Sequence, residues 1–320
     1  MRKRLLAAGI ALCLVMGFAM TGIAEENESG LLEIGQAQDF SDKGYLLPID
    51  FSAGSEPDED GYGEEWTYED STISVKIVNG NNGRCNYWYA DIQLTDASQL
   101  RTTGGSPDGA SFDTEIDGIA LSGRSDAVVA INGDFWTSPE KKGKGYVVRQ
   151  GILYRNALDP AGVQGSRLMD VLLIDEDGDF IALHQPGTDS IPATVNGKRI
   201  LNAFSFGPIL VENGEVVTDF RGSEKWINME PNEGRQRNAI CQVGPLHYIV
   251  LCCAGPYRGN YAMTLGEFAE VAGSLGVQTA YNLDGGDSTL LYFDEDRVNN
   301  FGSTSQRKLR DIIYFASAEQ

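Results

Sequence analysis

From residue 71 onward apolar and polar residues alternate over long stretches, the period of half-buried strands. Ile73, Val75 and Ile77 alternate with polar neighbours, and Trp88, Ala90, Ile92 and Leu94 share one face of a second strand. Val128 to Ile131 is a short apolar run that leads into Asn132-Gly133-Asp134. Paired runs flank turn residues in three places. Val171–Ile174 and Phe180–Leu183 enclose Asp175-Glu176-Asp177-Gly178-Asp179. Ile209–Val211 and Val216–Val217 enclose Asn213-Gly214, and Ala239–Val243 and Tyr248–Leu251 enclose Gly244-Pro245. Such runs predict hairpins. One segment has helical spacing instead: Leu265, Phe268, Ala269, Ala272 and Leu275 follow a Thr264/Glu267 capping box, and Gly276 closes the helix. Val277 to Leu283 then reads as a buried strand that delivers Asn282 to Ser288 at its end. The pattern predicts an α+β fold, a strand-rich mixed sheet with hairpins and a few helices, in a single domain over residues 71–320.

Composition agrees with this and adds a start and an arm. The 320 residues include 38 glycines, which favour turns over helix interiors. Residues 1–24 read as a signal peptide. Arg2, Lys3 and Arg4 precede an apolar run from Leu5 to Met20, and Gly22-Ile23-Ala24 offers a cleavage site. Secretion or another extracytoplasmic location is the expectation, with surface tethering if the signal stays uncleaved. Residues 25–70 carry 15 acids and one base, Lys43, and are expected to form a solvated acidic linker. The net charge of −21 argues against nucleic acid as a partner. Beyond the signal, Cys85, Cys241, Cys252 and Cys253 lack zinc-ligand spacing and read as buried thiols. His184 and His247 read as packing residues.

Two segments have the character of site loops. Asn132, Gly133 and Asp134 follow one apolar strand, and Asn282, Asp284, Gly285, Gly286, Asp287 and Ser288 follow another. Glycine lets backbone amides approach a ligand, and exposed amides after a strand can cradle an anion. Arg237, at the mouth of the strand that begins near Ile240, adds a cation suited to phosphate. No GxSxG elbow, Walker loop or HExxH helix is present. Carboxylates, amides and arginine remain, a set that suits cleavage of a sugar–phosphate bond.

The ordered segments AINGDFW, SFGPILVENGE, GRQRNAI, TLGEFAEVAGSLGVQTAYNLDGGDST and RKLRDIIYF resemble those of the phosphodiester glycosidases, the uncovering-enzyme family and its bacterial relatives. The resemblance covers roughly Ser71 to Phe315. It implies a hydrolase that breaks the bond between a sugar's anomeric carbon and a phosphate oxygen; the residues themselves assign no cofactor or metal site. Its substrate would be a sugar phosphate or glycan of the envelope or extracellular space. Asp284 is the first candidate for base or nucleophile and Asp134 the second. Arg237 and the amides around Gly285 and Gly286 would hold the phosphate, while Asn132 and Asn282 would orient sugar hydroxyls or the loops themselves. Gly133, Asp287 and Ser288 complete the expected substrate-binding set. The family usually has glycine where this chain has Asp134 and Asp287, so two acids are added to the expected pocket. The alternatives are a glycan-binding protein without activity and a metal-dependent phosphodiesterase that uses Asp134, Asp284 and Asp287.

Overall fold

The computed structural model describes residues 30–133, 145–157, 170–184, 192–220, 230–256, 261–299 and 306–320. The proposed signal (residues 1–24) and Asp134 lie outside them. Among the described residues the fold is α+β, with three antiparallel sheets and two α-helices.

The largest sheet has nine strands. Its centre is Ile73–Asn81, Asn86–Leu94, His247–Cys253, Asn238–Gly244, Thr279–Leu283 and Ile209–Glu212, in that spatial order. Ile73, Val75 and Ile77 are buried while Ser74 and Lys76 are exposed, so the alternation of the sequence is the alternation of the sheet's faces. A five-stranded sheet runs Asp296–Arg297, Leu291–Phe293, Ala127–Asn132, Asp311–Ala316, Leu100–Gly104. A six-stranded sheet carries Val171–Asp175, Lys198–Phe204 and Gly145–Arg149. Residues from all three sheets meet in one apolar core, among them Trp88, Val129, Ile174, Phe204, Val250 and Phe315.

The three hairpins form at the turns read from the sequence. Asn213 and Gly214 both take positive φ, as a two-residue hairpin turn demands. Helix Leu265–Ser274 starts at Thr264, whose hydroxyl accepts from the Glu267 amide while the Glu267 carboxylate accepts from the Thr264 amide. It packs on Ile209–Glu212 and Thr279–Leu283, the strand that carries the 282–288 loop.

Residues 30–70 do not form the solvated linker expected from their composition. Leu32 is buried among Tyr146, Val148, Leu153 and Leu173 in the six-stranded layer, and Leu47 packs with Leu121 and Tyr314. The chain pairs with the body at Leu31↔Pro192, Ala37↔Ile152 and Ser55↔Ser317. The buried Arg101 side chain donates to the carbonyls of Pro48, Asp50 and Ser52. The acids meet bases of the body: Asp42 pairs with Arg199 at 2.8 Å. A few widely spaced apolar anchors and main-chain carbonyls do the packing here, and neither appears in a charge count.

Candidate active site

The Ala127–Asn132 strand is buried along its whole length and ends in a polar knot. Asn132 Nδ2 donates to the Asp284 carbonyl at 2.8 Å, while its Oδ1 accepts from Asn238 Nδ2 at 2.8 Å and from the Leu290 amide at 3.0 Å. One amide side chain therefore ties both expected site loops to the start of the Asn238–Gly244 strand. Buried and fully engaged, Asn132 sets loop position and does not reach toward a ligand. Asn282 is buried as well and donates from Nδ2 to the Gly207 carbonyl at 2.8 Å.

Gly133 sits against a second carboxylate. A Cβ there would lie 2.3–2.7 Å from the carboxylate atoms of Asp311. That carboxylate is buried and paired with Arg149, at 2.9 Å from Nη2. Arg149 is itself buried over the Phe204 ring, 4.1 Å from its centroid. A buried pair of this kind rigidifies its surroundings because neither charge tolerates loss of the other.

The 284–288 turn is held by close backbone approach. A Cβ on Gly285 would lie 2.3 Å from the Gln236 carbonyl oxygen, and Gly286 takes φ of +60°. The Gly286 amide donates to that same carbonyl at 2.9 Å. The Gly286 amide is therefore engaged by the Gln236 carbonyl within the site's own backbone.

Asp284 faces a cleft of about 380 Å³, lined by Phe206, Pro256, Arg235 to Arg237, Asn282 to Asp287, and Arg307. Burial pushes its pKa up from 3.8 to about 6, and the negative charge of Asp311 adds to the rise; Ser288, Arg307 and the Gly285 amide pull the other way. Asp287 is exposed at the rim, with its carbonyl accepting from the Arg307 amide at 2.8 Å.

The arginines divide by environment. Arg237 is 4% exposed, and its Nη2 donates to the carbonyls of Glu230 and Glu233 at 2.9 and 3.0 Å. Burial pushes its pKa down to about 10. It lines the cleft while bracing the wall. Arg235 pairs with Glu230 and Glu233. Arg307 is different: its side chain is 52% exposed, and Nη1 lies 4.0 Å from Asp284 Oδ2. Arg307, in the RKLR run before the last described strand, joins the site beyond the residues expected from the sequence, as do Asn238, Arg149 and Asp311. Asp134 falls outside the described residues. His184 contacts Glu212 and His247 contacts Asp91; neither lines the cleft.

A family model described as phosphodiester glycosidase matches residues 125–316. The chain belongs to the phosphodiester glycosidase family. Every element of the site just described lies inside that match. Among solved structures, this family member is similar to the catalytic domain of zebrafish N-acetylglucosamine-1-phosphodiester alpha-N-acetylglucosaminidase, auto-inhibited by its pro-peptide. Identity is 15%, the TM-score is 0.58, and the match covers 90% of this chain and 97% of that one. A hypothetical protein from Synechocystis is similar at 17% identity and a TM-score of 0.52, over 77% of this chain and 62% of that one. These likenesses are of fold. No curated protein sequence matches the chain. No helix among the described residues is long and apolar enough to cross a membrane.

Proposed function

We propose that this phosphodiester glycosidase hydrolyses sugar-1-phosphodiesters at the bond between the anomeric carbon and the phosphate oxygen. The observation that carries the reading is Asp284, a cleft-facing carboxyl with a pKa near 6, beside the half-exposed Arg307 guanidinium. A substituted phosphate is a weak base and leaves with little protonation. The site has three tasks: to hold the phosphate, to stabilise a cationic sugar, and to supply an oxygen nucleophile. Arg307 contacts the phosphate. Asp284, ionised above pH 6, faces the sugar and either attacks C1 or takes the proton of the attacking water. The bond from C1 to the phosphate oxygen breaks with both electrons going to that oxygen. Water then supplies the hydroxyl of the reducing sugar, and a phosphate monoester departs. Arg237, Asn132 and Asn282 hold the walls, and Gly133 lets Asp311 close beneath the loop. The name of the zebrafish neighbour supports N-acetylglucosamine as the first sugar to try. The signal-like residues 1–24 support an extracytoplasmic glycan as the setting.

Turnover of N-acetylglucosamine-1-phosphodiesters in ¹⁸O-water tests the reading. Label in the reducing sugar is expected, with kcat/KM falling about tenfold per pH unit below about pH 6 as Asp284 takes up its proton. Label in the phosphate would mean P–O cleavage and would replace this reading with a phosphodiesterase. Saturable glycan binding with no turnover would replace it with a binding protein.

A further inference from the structure

Cys85 and Cys253 lie on neighbouring strands and on one face of the large sheet. Cys253 ends the strand His247–Cys253 and stands opposite Tyr87, and the next amide, of Ala254, donates to the Asn86 carbonyl at 2.8 Å. Cys85 is two residues before Tyr87, so the two side chains are diagonal neighbours across the pair. The two thiols act on each other: the Cys253 thiol holds the Cys85 pKa down, while burial and the Cys85 thiol push that of Cys253 up. The Cys85 sulfur also lies 3.7 Å from the Ala254 carbonyl oxygen. On its other side the Cys253 sulfur accepts from the Arg237 amide at 3.3 Å and donates to the Arg235 carbonyl at 3.5 Å. The pair thus lies directly behind the 235–237 wall of the cleft. Both residues are buried, at 1% and 0% exposure. The other two described cysteines have different settings. Cys252 points to the opposite face and Cys241 lies in the core, three residues along its strand from the partner of Cys252.

We propose that Cys85 and Cys253 are a disulfide site, and that the bond fastens the head of the Asn86–Leu94 strand to the strand that backs the active-site wall. The oxidant is a small or protein disulfide. One cysteine thiolate attacks a sulfur of that disulfide and releases one thiol. The second thiolate then attacks the mixed disulfide and releases the other. Two protein thiols lose two protons and two electrons, and the oxidant becomes two thiols. Because both sulfurs are covered once the sheet is complete, the bond forms as the strands come together and then resists reductant.

The test is to refold the full chain in a glutathione redox buffer, denature it without reductant, alkylate it with iodoacetamide and map the peptides. The expected result is a mass about 2 Da lower than the reduced chain. Tryptic peptide 85–101 should be linked to peptide 238–258, with fragment ions placing the link at Cys253 and alkylation at Cys241 and Cys252. Cys252→Ser should keep the link, and Cys253→Ser should leave Cys85 alkylated. The oxidised form should melt about 5–10 °C above the reduced form of the same chain. Alkylation of both Cys85 and Cys253 after oxidation would overturn the proposal, as would a link that runs through Cys241 or Cys252. The wild-type peptide map is decisive even if a serine variant does not fold.

Discussion

Replacing Asp284 by Asn should make this protein more stable while silencing it. Folding moves the Asp284 carboxyl from 3.8 to about 6, chiefly by taking it out of water. A group whose pKa rises on folding binds its proton more tightly in the folded state. Its contribution is therefore most favourable below about pH 4, declines as pH rises through 4 to 6, and remains unfavourable above. At 1.36 kcal/mol per pH unit, the ionised carboxylate costs about 3 kcal/mol at neutral pH. The side chain keeps 17% of its surface exposed, and water screens part of that cost, so about 1–3 kcal/mol is expected in practice. Asparagine has the same shape and carries no charge. The variant should melt about 2–8 °C above wild type near pH 8. The gap should close near pH 4, where wild-type Asp284 is protonated in the folded state. Turnover should fall by about 10²–10⁴, since an amide can act neither as base nor as nucleophile. Thermal and urea unfolding at the two pH values, beside initial rates, measure all of this. A variant no more stable than wild type near pH 8, or a gap that persists unchanged in acid, would refute the reasoning.

Gly133→Ala should drive a methyl into the Asp311 carboxylate, costing about 1–3 kcal/mol by overpacking and about 100-fold in kcat as the loop shifts; urea unfolding and steady-state kinetics separate the two effects. Arg307→Ala should raise KM about 10–100-fold, the worth of one charged hydrogen bond, with little change in melting temperature because the side chain is half-exposed. The same change should move the acid limb of the kcat/KM profile to higher pH, since the Arg307 charge holds the Asp284 pKa down. A chain starting near Thr67 should lose near-UV circular dichroism and cooperative unfolding. Burial of Leu32, Phe40 and Leu47 is worth about 1.5–3 kcal/mol each, and without residues 48–52 Arg101 loses its carbonyl partners.

What could be read from the chain was local. The turn at Asn213-Gly214, the capping box at Thr264 and Glu267, and the strand-to-loop step at Leu283-Asp284 each depend on residues a few positions apart. Backbone preferences and short-range hydrogen bonds set such features. The functional division among the arginines was hidden. Arg237 and Arg307 are the same side chain in sequence, and only burial separates a brace on carbonyls from a half-exposed cation at the cleft. Likewise nothing beside Gly133 in the chain announces Asp311, which reaches it through strand pairing. Acids dominate the composition of the 30–70 arm, whereas four buried apolar side chains, Leu32, Phe40, Leu47 and Tyr68, and main-chain carbonyls anchor it to the body.

The place of Asp311 also bears on when the site comes into being. It sits on Asp311–Ala316, the strand that follows all other described strands in the chain, and this strand inserts between Ala127–Asn132 and Leu100–Gly104. Its partner Arg149 is 162 residues earlier. Loop closure over such a distance is slow compared with forming a hairpin or a helix. A chain still being synthesised can therefore fold its hairpins, helices and even the 282–288 turn while the seat under Gly133 stays empty. Under the proposed mechanism the site is complete only once the Asp311–Ala316 strand docks, so that chains cut before it would carry both loops without the carboxylate that seats Gly133.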